Sequence, residues 1–162
     1  MRFLLLKYGL FLFCFGNICC TNPNSPEVVD KTESEKHPII FHPSHEPKKA
    51  DAPFSDIVQV GNLYFLSGQI GMNHTTRELV SGGIRTETLQ TLENIKAVLA
   101  RHDLSTDNVV KATVILADIE DFSEMNEIYT TFFPKKPARS TFAAKDLARG
   151  AKIEIEVIAV RQ

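Results

Sequence analysis

Three ionisable residues in the last quarter of the chain could act on a small molecule. Arg139 follows Pro137 and Ala138 at the start of a predicted strand, and its rigid guanidinium fork suits bidentate capture of a carboxylate. Glu154 and Glu156 point to the same side of the last predicted strand, where one of them could hold or activate water. Arginine and glutamate are also common as solvated or salt-bridged surface residues. Their spacing alone therefore leaves a plain surface role open.

Cysteine and histidine offer little chemistry in the body of the chain. Cys14, Cys19 and Cys20 are the three cysteines, and all lie in the first twenty residues. The remainder therefore has no intramolecular disulfide, thiolate metal site or cysteine nucleophile. His42 and His45 lie in a proline-broken stretch that cannot form a helical face. We expect solvated loop histidines there and predict no metal site.

The overall composition is that of an ordinary globular protein. Of 162 residues, 43% are hydrophobic and 23% are charged, which fits one compact domain. Eighteen basic and twenty acidic residues give a formal charge of -2, without a stripe of arginine and lysine. Composition therefore disfavours a nucleic-acid partner or an electrostatic pull toward anionic lipid.

The N-terminal segment has the features of an export signal. Arg2 and Lys7 precede a short apolar run, residues 8–18, which is about half the length of a membrane span. We predict a signal peptide over residues 1–20, export to the periplasm or secretion, and no stable membrane span after processing. A lipid anchor at Cys19 or Cys20 is an alternative, and an uncleaved signal would leave the protein cytoplasmic.

A polar linker is predicted over residues 21–38, ahead of one domain over residues 39–162. In this domain, residues 57–60 and 63–67 flank a Gly-Asn turn and predict a hairpin. Residues 71–83 are predicted to form a loop, and a short strand near residues 78–80 is the alternative. Residues 84–102 predict a helix, from which charged residues including Arg85 and Glu87 face away. Its apolar stripe comprises Leu89, Leu92, Ile95, Val98 and Leu99.

The second half of the domain continues the alternation of strands and helices. Residues 109–116 predict a buried strand. A helix begins at Asp121, with Glu124 completing a capping box, and ends at Pro134. Residues 140–144 and 152–160 predict the last two strands.

The predicted order β-β-α-β-α-β-β gives an α+β fold, in which a mixed sheet carries both helices on one face. The last strand has apolar residues on both of its sides. An apolar sheet face without helices favours subunits that assemble sheet to sheet.

Six motifs in order resemble the Rid family, the YjgF-like deaminases of reactive imines and enamines. The resemblance extends from about Ile39 to the C-terminus. The motifs are Ser67-Gly-Gln-Ile70, Gln90-Thr-Leu-Glu-Asn-Ile95, the run from Val114 to Phe122, Asn126-Glu-Ile-Tyr129 with Phe132-Phe133, Pro137-Ala-Arg-Ser140, and residues 152–159.

The resemblance implies a chorismate-mutase-like fold and a homotrimer with a central barrel and sites between subunits. It assigns to Arg139 the substrate carboxylate and to Glu154 the hydrolytic water. It places Phe54, Ser67 and Thr141 among the substrate-binding residues, with Phe54 where many deaminating members have tyrosine and Thr141 where cysteine is common. No metal or organic cofactor is implied.

Two functions follow as hypotheses. The first is hydrolytic deamination of small 2-imino or 2-enamino acids to 2-oxo acids and ammonia, as in 2-iminobutanoate/2-iminopropanoate deaminases. The second is a non-catalytic trimeric module that binds small carboxylates in the cleft between subunits. Arg139 with Glu154 favours the first, whereas Phe54 favours the second. Ribonuclease activity has no support in the charge distribution.

Overall fold

The structure is a computed structural model that describes residues 37–49 and 51–162. The predicted signal peptide, the proposed lipid-anchor cysteines and all but the last two residues of the predicted linker lie outside the described residues. Across the described part of the chain, no helix is both long enough and apolar enough to span a membrane.

One six-stranded sheet and two helices make up the domain. The sheet order is β1-β2-β3-β6-β4-β5, and every pair is antiparallel except β4 with β5, which run parallel because α2 connects them. The predicted mixed sheet with two helices is confirmed. The elements are β1 Ile39–His42, β2 Ile57–Val60, β3 Leu63–Ile70, α1 Ile84–Ala100, β4 Val109–Leu116, α2 Phe122–Phe132, β5 Ala138–Ala143 and β6 Ile153–Val160.

Strand β1 is missing from the predicted order. It pairs antiparallel with β2, where Phe41 lies opposite Val58 and His42 lies opposite Ile57. His42 is therefore a strand residue, and its ring approaches the side-chain oxygen of Gln59 at 3.2 Å. A four-residue edge strand that is mostly exposed has no alternation of apolar and polar residues to reveal it.

Helix α1 packs its buried face on β3 and β6. The predicted stripe is confirmed except at Leu89, which is 46% exposed, because the buried arc instead includes Thr88 and Thr91. Glu87 was predicted to face away but is buried, and its carboxylate accepts a hydrogen bond from the backbone N–H of Lys152 at 2.8 Å. The main core residues are Ile57, Tyr64, Leu92, Ile95, Leu99, Val114, Leu116, Met125, Ile153 and Ile155.

Helix α2 has Asp121 at its N-cap, as expected, but the predicted capping box is absent. The Asp121 side chain makes no capping hydrogen bond. Asp118 acts instead, since its carboxylate accepts the backbone N–H of Glu120 at 3.0 Å in the preceding 3-10 turn. Met125 and Tyr129 are the buried residues of this helix, and Ile128 and Phe132 pack partly buried against the same core.

The second face of the sheet carries large apolar side chains that remain exposed in the single chain. Phe41, Val58, Phe65 and Ile158 lie in one row across β1, β2, β3 and β6, as the strand register shows. Phe41 is 67% and Phe65 is 40% exposed. An apolar row of this kind is typical of a protein–protein contact surface.

Candidate active site

Glu154 lies near the start of β6, where it faces a cavity of about 300 Å³. Phe54, Gly68 and Ile70 contribute apolar and backbone surface to this cavity, and Ile70 is the β3 partner of Glu154 in the sheet. Basic side chains form another part of the wall, and they are Lys49, His74, Arg77 and Arg149. The cavity thus combines one carboxylate with several cationic or imidazole groups.

Gly68 allows the Glu154 side chain to lie directly against strand β3. The β3–β6 register shifts between Leu66 and Gln69, which is the irregularity of a β-bulge. A Cβ atom at Gly68 would collide with the Glu154 carboxylate. Glycine at this position therefore follows from a close approach between backbone and side chain.

The Glu154 carboxyl is half-buried, and burial raises its pKa, with repulsion from Glu156 as the second cause. It forms none of the ion pairs found among the described residues. A carboxyl group with a raised pKa is better suited to accept and return a proton near neutral pH than an ordinary glutamate.

Phe54 and Ser67 lie beside this cavity in different roles. Phe54 is 51% exposed and lines both the Glu154 cavity and a neighbouring groove of about 560 Å³. The Ser67 hydroxyl donates to the backbone oxygen of Ser55 at 2.7 Å, and its N–H donates to the oxygen of Asp56 at 3.0 Å. Ser67 thus fixes the segment that presents Phe54.

Arg139 is held by two residues of α2. Its Nη1 donates to the Asn126 side-chain oxygen at 2.7 Å, and the guanidinium lies 4.5 Å from the centre of the Tyr129 ring. Asn126 and Tyr129 are three residues apart and therefore share one side of the helix. These residues line a separate cavity of about 290 Å³ together with Lys136. The guanidinium is consequently oriented before any ligand arrives.

Thr141 lies two residues after Arg139, on the same face of β5, so the two residues are about 7 Å apart along the strand. Its hydroxyl oxygen is buried and has no hydrogen-bond partner within residues 37–49 and 51–162. The predicted pair of Arg139 and Thr141 therefore shares one side of one strand.

The strand register places Arg139 and Glu154 on opposite faces of the sheet. Arg139 pairs with Ala112 in the neighbouring strand, and Ala112 pairs with Val157, so the three side chains lie on the same face of the sheet. Val157 faces the core under the helices. Glu154 is three residues before Val157 and therefore points to the other face. One chain cannot bring the guanidinium and the carboxylate to one ligand. The predicted residues form two groups, with Phe54, Ser67 and Glu154 in one and Arg139 and Thr141 in the other.

The sequence alone predicts no role for several residues that line these cavities. Asn126 and Tyr129 lie within a recognised motif, but only the folded contact shows that they hold Arg139. Arg149 reaches the Glu154 cavity from a turn in which it and Gly150 both have positive φ values, 58° and 74°. The only sequence signal for that turn is Gly150.

Comparison with known proteins supports the resemblance seen in the motifs. The sequence model of the family described as "Endoribonuclease L-PSP" matches residues 44–161. A protein of Mus musculus named 2-iminobutanoate/2-iminopropanoate deaminase is 42% identical over 113 residues, which are 69% of this chain and 84% of that protein.

Two solved structures from E. coli have the same architecture. The YjgF gene product is 34% identical with a TM-score of 0.69, and the match covers 76% of this chain and 99% of that one. TdcF with bound serine is 32% identical with a TM-score of 0.65, and the match covers 75% and 94%. The predicted chorismate-mutase-like fold is confirmed. The chain therefore belongs to the endoribonuclease L-PSP family, the YjgF-like or Rid family.

Proposed function

We propose that the protein hydrolyses reactive 2-imino and 2-enamino acids to 2-oxo acids and ammonia. The observation that carries this proposal is the half-buried Glu154 carboxyl, which faces a cavity and has a raised pKa. Relatives that are 42% identical are named 2-iminobutanoate/2-iminopropanoate deaminase, which supports the same reaction class.

Hydrolysis requires little from the protein because the imine carbon is already electrophilic. Glu154 accepts a proton from water as the water oxygen bonds to that carbon, and the imine nitrogen takes up a proton from solvent. As the resulting carbinolamine expels ammonia, Glu154 returns its proton to the departing nitrogen, and the hydroxyl proton passes to solvent as the carbonyl forms. An enamine substrate enters the same route after tautomerising to the imine, which adds a proton at carbon and removes one from nitrogen.

Arg139 binds the substrate carboxylate in this proposal. Its fork is held by Asn126 and stacked on Tyr129, which leaves guanidinium N–H groups for a planar anion. Because Arg139 and Glu154 lie on opposite sheet faces, we propose that the site forms between subunits of a homotrimer. The exposed apolar row with Phe41 and Phe65 supports such an assembly.

Ammonia release by the purified chain tests the proposal. Imines are generated in situ from small 2-amino acids by an amino-acid oxidase, and the rate of ammonia formation is compared with that of the uncatalysed hydrolysis. We expect acceleration that depends on the amount of the protein. No acceleration, together with saturable binding of a small 2-oxo acid, would establish the carboxylate-binding module instead.

We also propose that residues 1–20 direct export. Cell fractionation followed by N-terminal sequencing checks this directly, since cleavage removes Met1. An intact N-terminus on protein from the cytosolic fraction would contradict export.

A further inference from the structure

Three potential metal ligands and one neighbouring carboxylate lie beside the Glu154 cavity and come from separate segments of the chain. The ligands are His45 and Glu46 before β2 and His74 in the loop after β3, and the neighbouring carboxylate is Asp56, just before β2. One ligand atom each from His45, Glu46 and His74 lies within 4.8 Å of the others. His45 is thus no isolated loop histidine, since folding surrounds it with carboxylates that the spacing of histidines alone does not reveal.

One distance in this group of three already suits a zinc centre. Zinc lies about 2.0–2.2 Å from nitrogen and oxygen ligands, so neighbouring ligand atoms of a tetrahedron are roughly 3.3–3.5 Å apart. His74 Nδ1 lies 3.4 Å from Glu46 Oε1, which fits two ligands of one ion. Asp56 lies outside the group of three, and its Oδ2 lies 3.3 Å from His45 Nδ1.

The carboxylates of this cluster are buried, and that of Asp56 has no hydrogen bond. The Asp56 side chain is 4% exposed and that of Glu46 is 6% exposed. Neither Asp56 oxygen has a hydrogen-bond partner in the described part of the chain, whereas Glu46 Oε1 is approached by the Lys49 ammonium and the His74 ring. Buried carboxylate oxygens without hydrogen bonds are destabilising, and coordination of a cation would satisfy them.

Lys49 now supplies the positive charge in this space. Its Nζ lies 2.6 Å from Glu46 Oε1 and 4.0 Å from Asp56 Oδ1, while Arg77 holds the other Glu46 oxygen at 2.7 Å. An ammonium carries one charge and can only hydrogen-bond to imidazole nitrogens, whereas a transition-metal dication carries two charges and coordinates them. The lysine side chain is flexible, and it also lines the adjacent cavity into which it can withdraw.

We propose that His45, Glu46 and His74 form a binding site for a zinc-type divalent metal ion that displaces the Lys49 ammonium, with Asp56 as a further carboxylate beside His45. Two imidazole nitrogens among three donors favour Zn²⁺ and similar ions over Mg²⁺ or Ca²⁺, which prefer oxygen ligands. This site is independent of the proposed deamination, in which the metal takes no step.

Zinc titration of the full-length chain tests the site. Cys14, Cys19 and Cys20 are replaced by serine in every sample, because thiolates also bind zinc. Competition with a chelating indicator at pH 7.5 measures affinity, and Co²⁺ substitution reports tetrahedral geometry by its visible absorption. We expect one ion per chain. Absence of saturable binding at micromolar zinc would overturn the proposal.

Matched variants locate the ion. His74→Ala should weaken zinc binding by about tenfold or more, because even the loss of a supporting residue typically has that effect. His37→Ala, which removes a histidine beside Gly61, should leave the affinity unchanged. Equal affinities of the parent and His74→Ala would contradict the site.

Lys49→Met provides a second test in the opposite direction. Removal of the ammonium removes the competing cation, so zinc affinity should rise. This test remains decisive if His74→Ala fails to fold. Unchanged or weaker binding in Lys49→Met would show that the metal does not take the place of the ammonium.

Discussion

At the scale of residues, Arg139 and Glu154 carry different parts of the proposed reaction. Arg139→Lys keeps the charge but loses the planar fork that Asn126 and Tyr129 orient. The loss should appear mainly in KM, because the substrate carboxylate is held equally in the ground and transition states. Steady-state kinetics of ammonia release provide the measurement, and a fall in kcat with unchanged KM would contradict this role.

Glu154→Gln should act on kcat. Glutamine keeps the size and hydrogen bonding of the side chain but cannot accept a proton, and general acid–base catalysis contributes about 10²–10⁴-fold. Glu156→Gln is the matched control, since it lies on the same strand face about 7 Å away. An equal loss of kcat in both variants would show that the role has been assigned to the wrong glutamate.

The raised pKa of Glu154 also predicts a dependence of stability on pH. A carboxyl whose pKa is higher in the folded than in the unfolded chain binds more protons when folded, so stability falls as the pH rises between those two values. The Glu154→Gln variant has no ionisable group at this position, so it does not lose stability in this way. Its stability advantage over the parent should therefore widen as the pH rises above about 4.3, the ordinary glutamate value.

Urea unfolding at fixed protein concentration measures this advantage across the pH range. An advantage that stays constant with pH, or that grows toward acid, would contradict a raised pKa at Glu154.

At the scale of elements, the bulge in β3 positions Glu154. Gly68→Ala introduces a Cβ that collides with the Glu154 carboxylate, and overpacking of this kind typically costs about 1–3 kcal/mol. The same substitution in a Glu154→Ala background should cost much less, because the colliding group is absent. Equal destabilisation in the two backgrounds of this double-mutant cycle would show that the glycine in the bulge is not required by the Glu154 carboxylate.

The elements in which apolar residues recur at regular intervals could be predicted from the sequence. Strand β4 has the predicted bounds, and four of the five predicted apolar residues of α1 are buried. Leu89 and Glu87 exchange the expected environments, because buried threonines complete the helix face and a backbone N–H of Lys152 satisfies the glutamate. These tertiary contacts decide which side chains are buried, whereas the sequence pattern reflects hydrophobicity alone.

The relation between candidate site residues could not be predicted in the same way. The position of Arg139 opposite Glu154 across the sheet depends on the pairing of β4 with both β5 and β6. The cluster around His45 likewise depends on Asp56 and His74, which only folding brings near it. Residue types were visible in the sequence, but long-range register was not.

At the scale of the whole molecule, the helix-free face exposes Phe41, Phe65 and Phe142, which favours assembly of subunits. For the proposed homotrimer, light scattering on the purified protein at micromolar concentration should give the mass of three chains. A monomer would remove the basis for a site shared between subunits.

In the proposed trimer, one subunit supplies Arg139 and its neighbour supplies Glu154. Complementation between Arg139→Ala and Glu154→Ala chains tests this arrangement. Each variant alone should be nearly inactive. In a random one-to-one mixed trimer, an intact arginine meets an intact glutamate at about one quarter of the interfaces.

The mixed protein should thus recover about one quarter of the parent rate of ammonia release. Native mass spectrometry verifies that mixed trimers have formed. Recovery to this level is the result that a shared site predicts. No recovery in verified mixed trimers of folded subunits would contradict it.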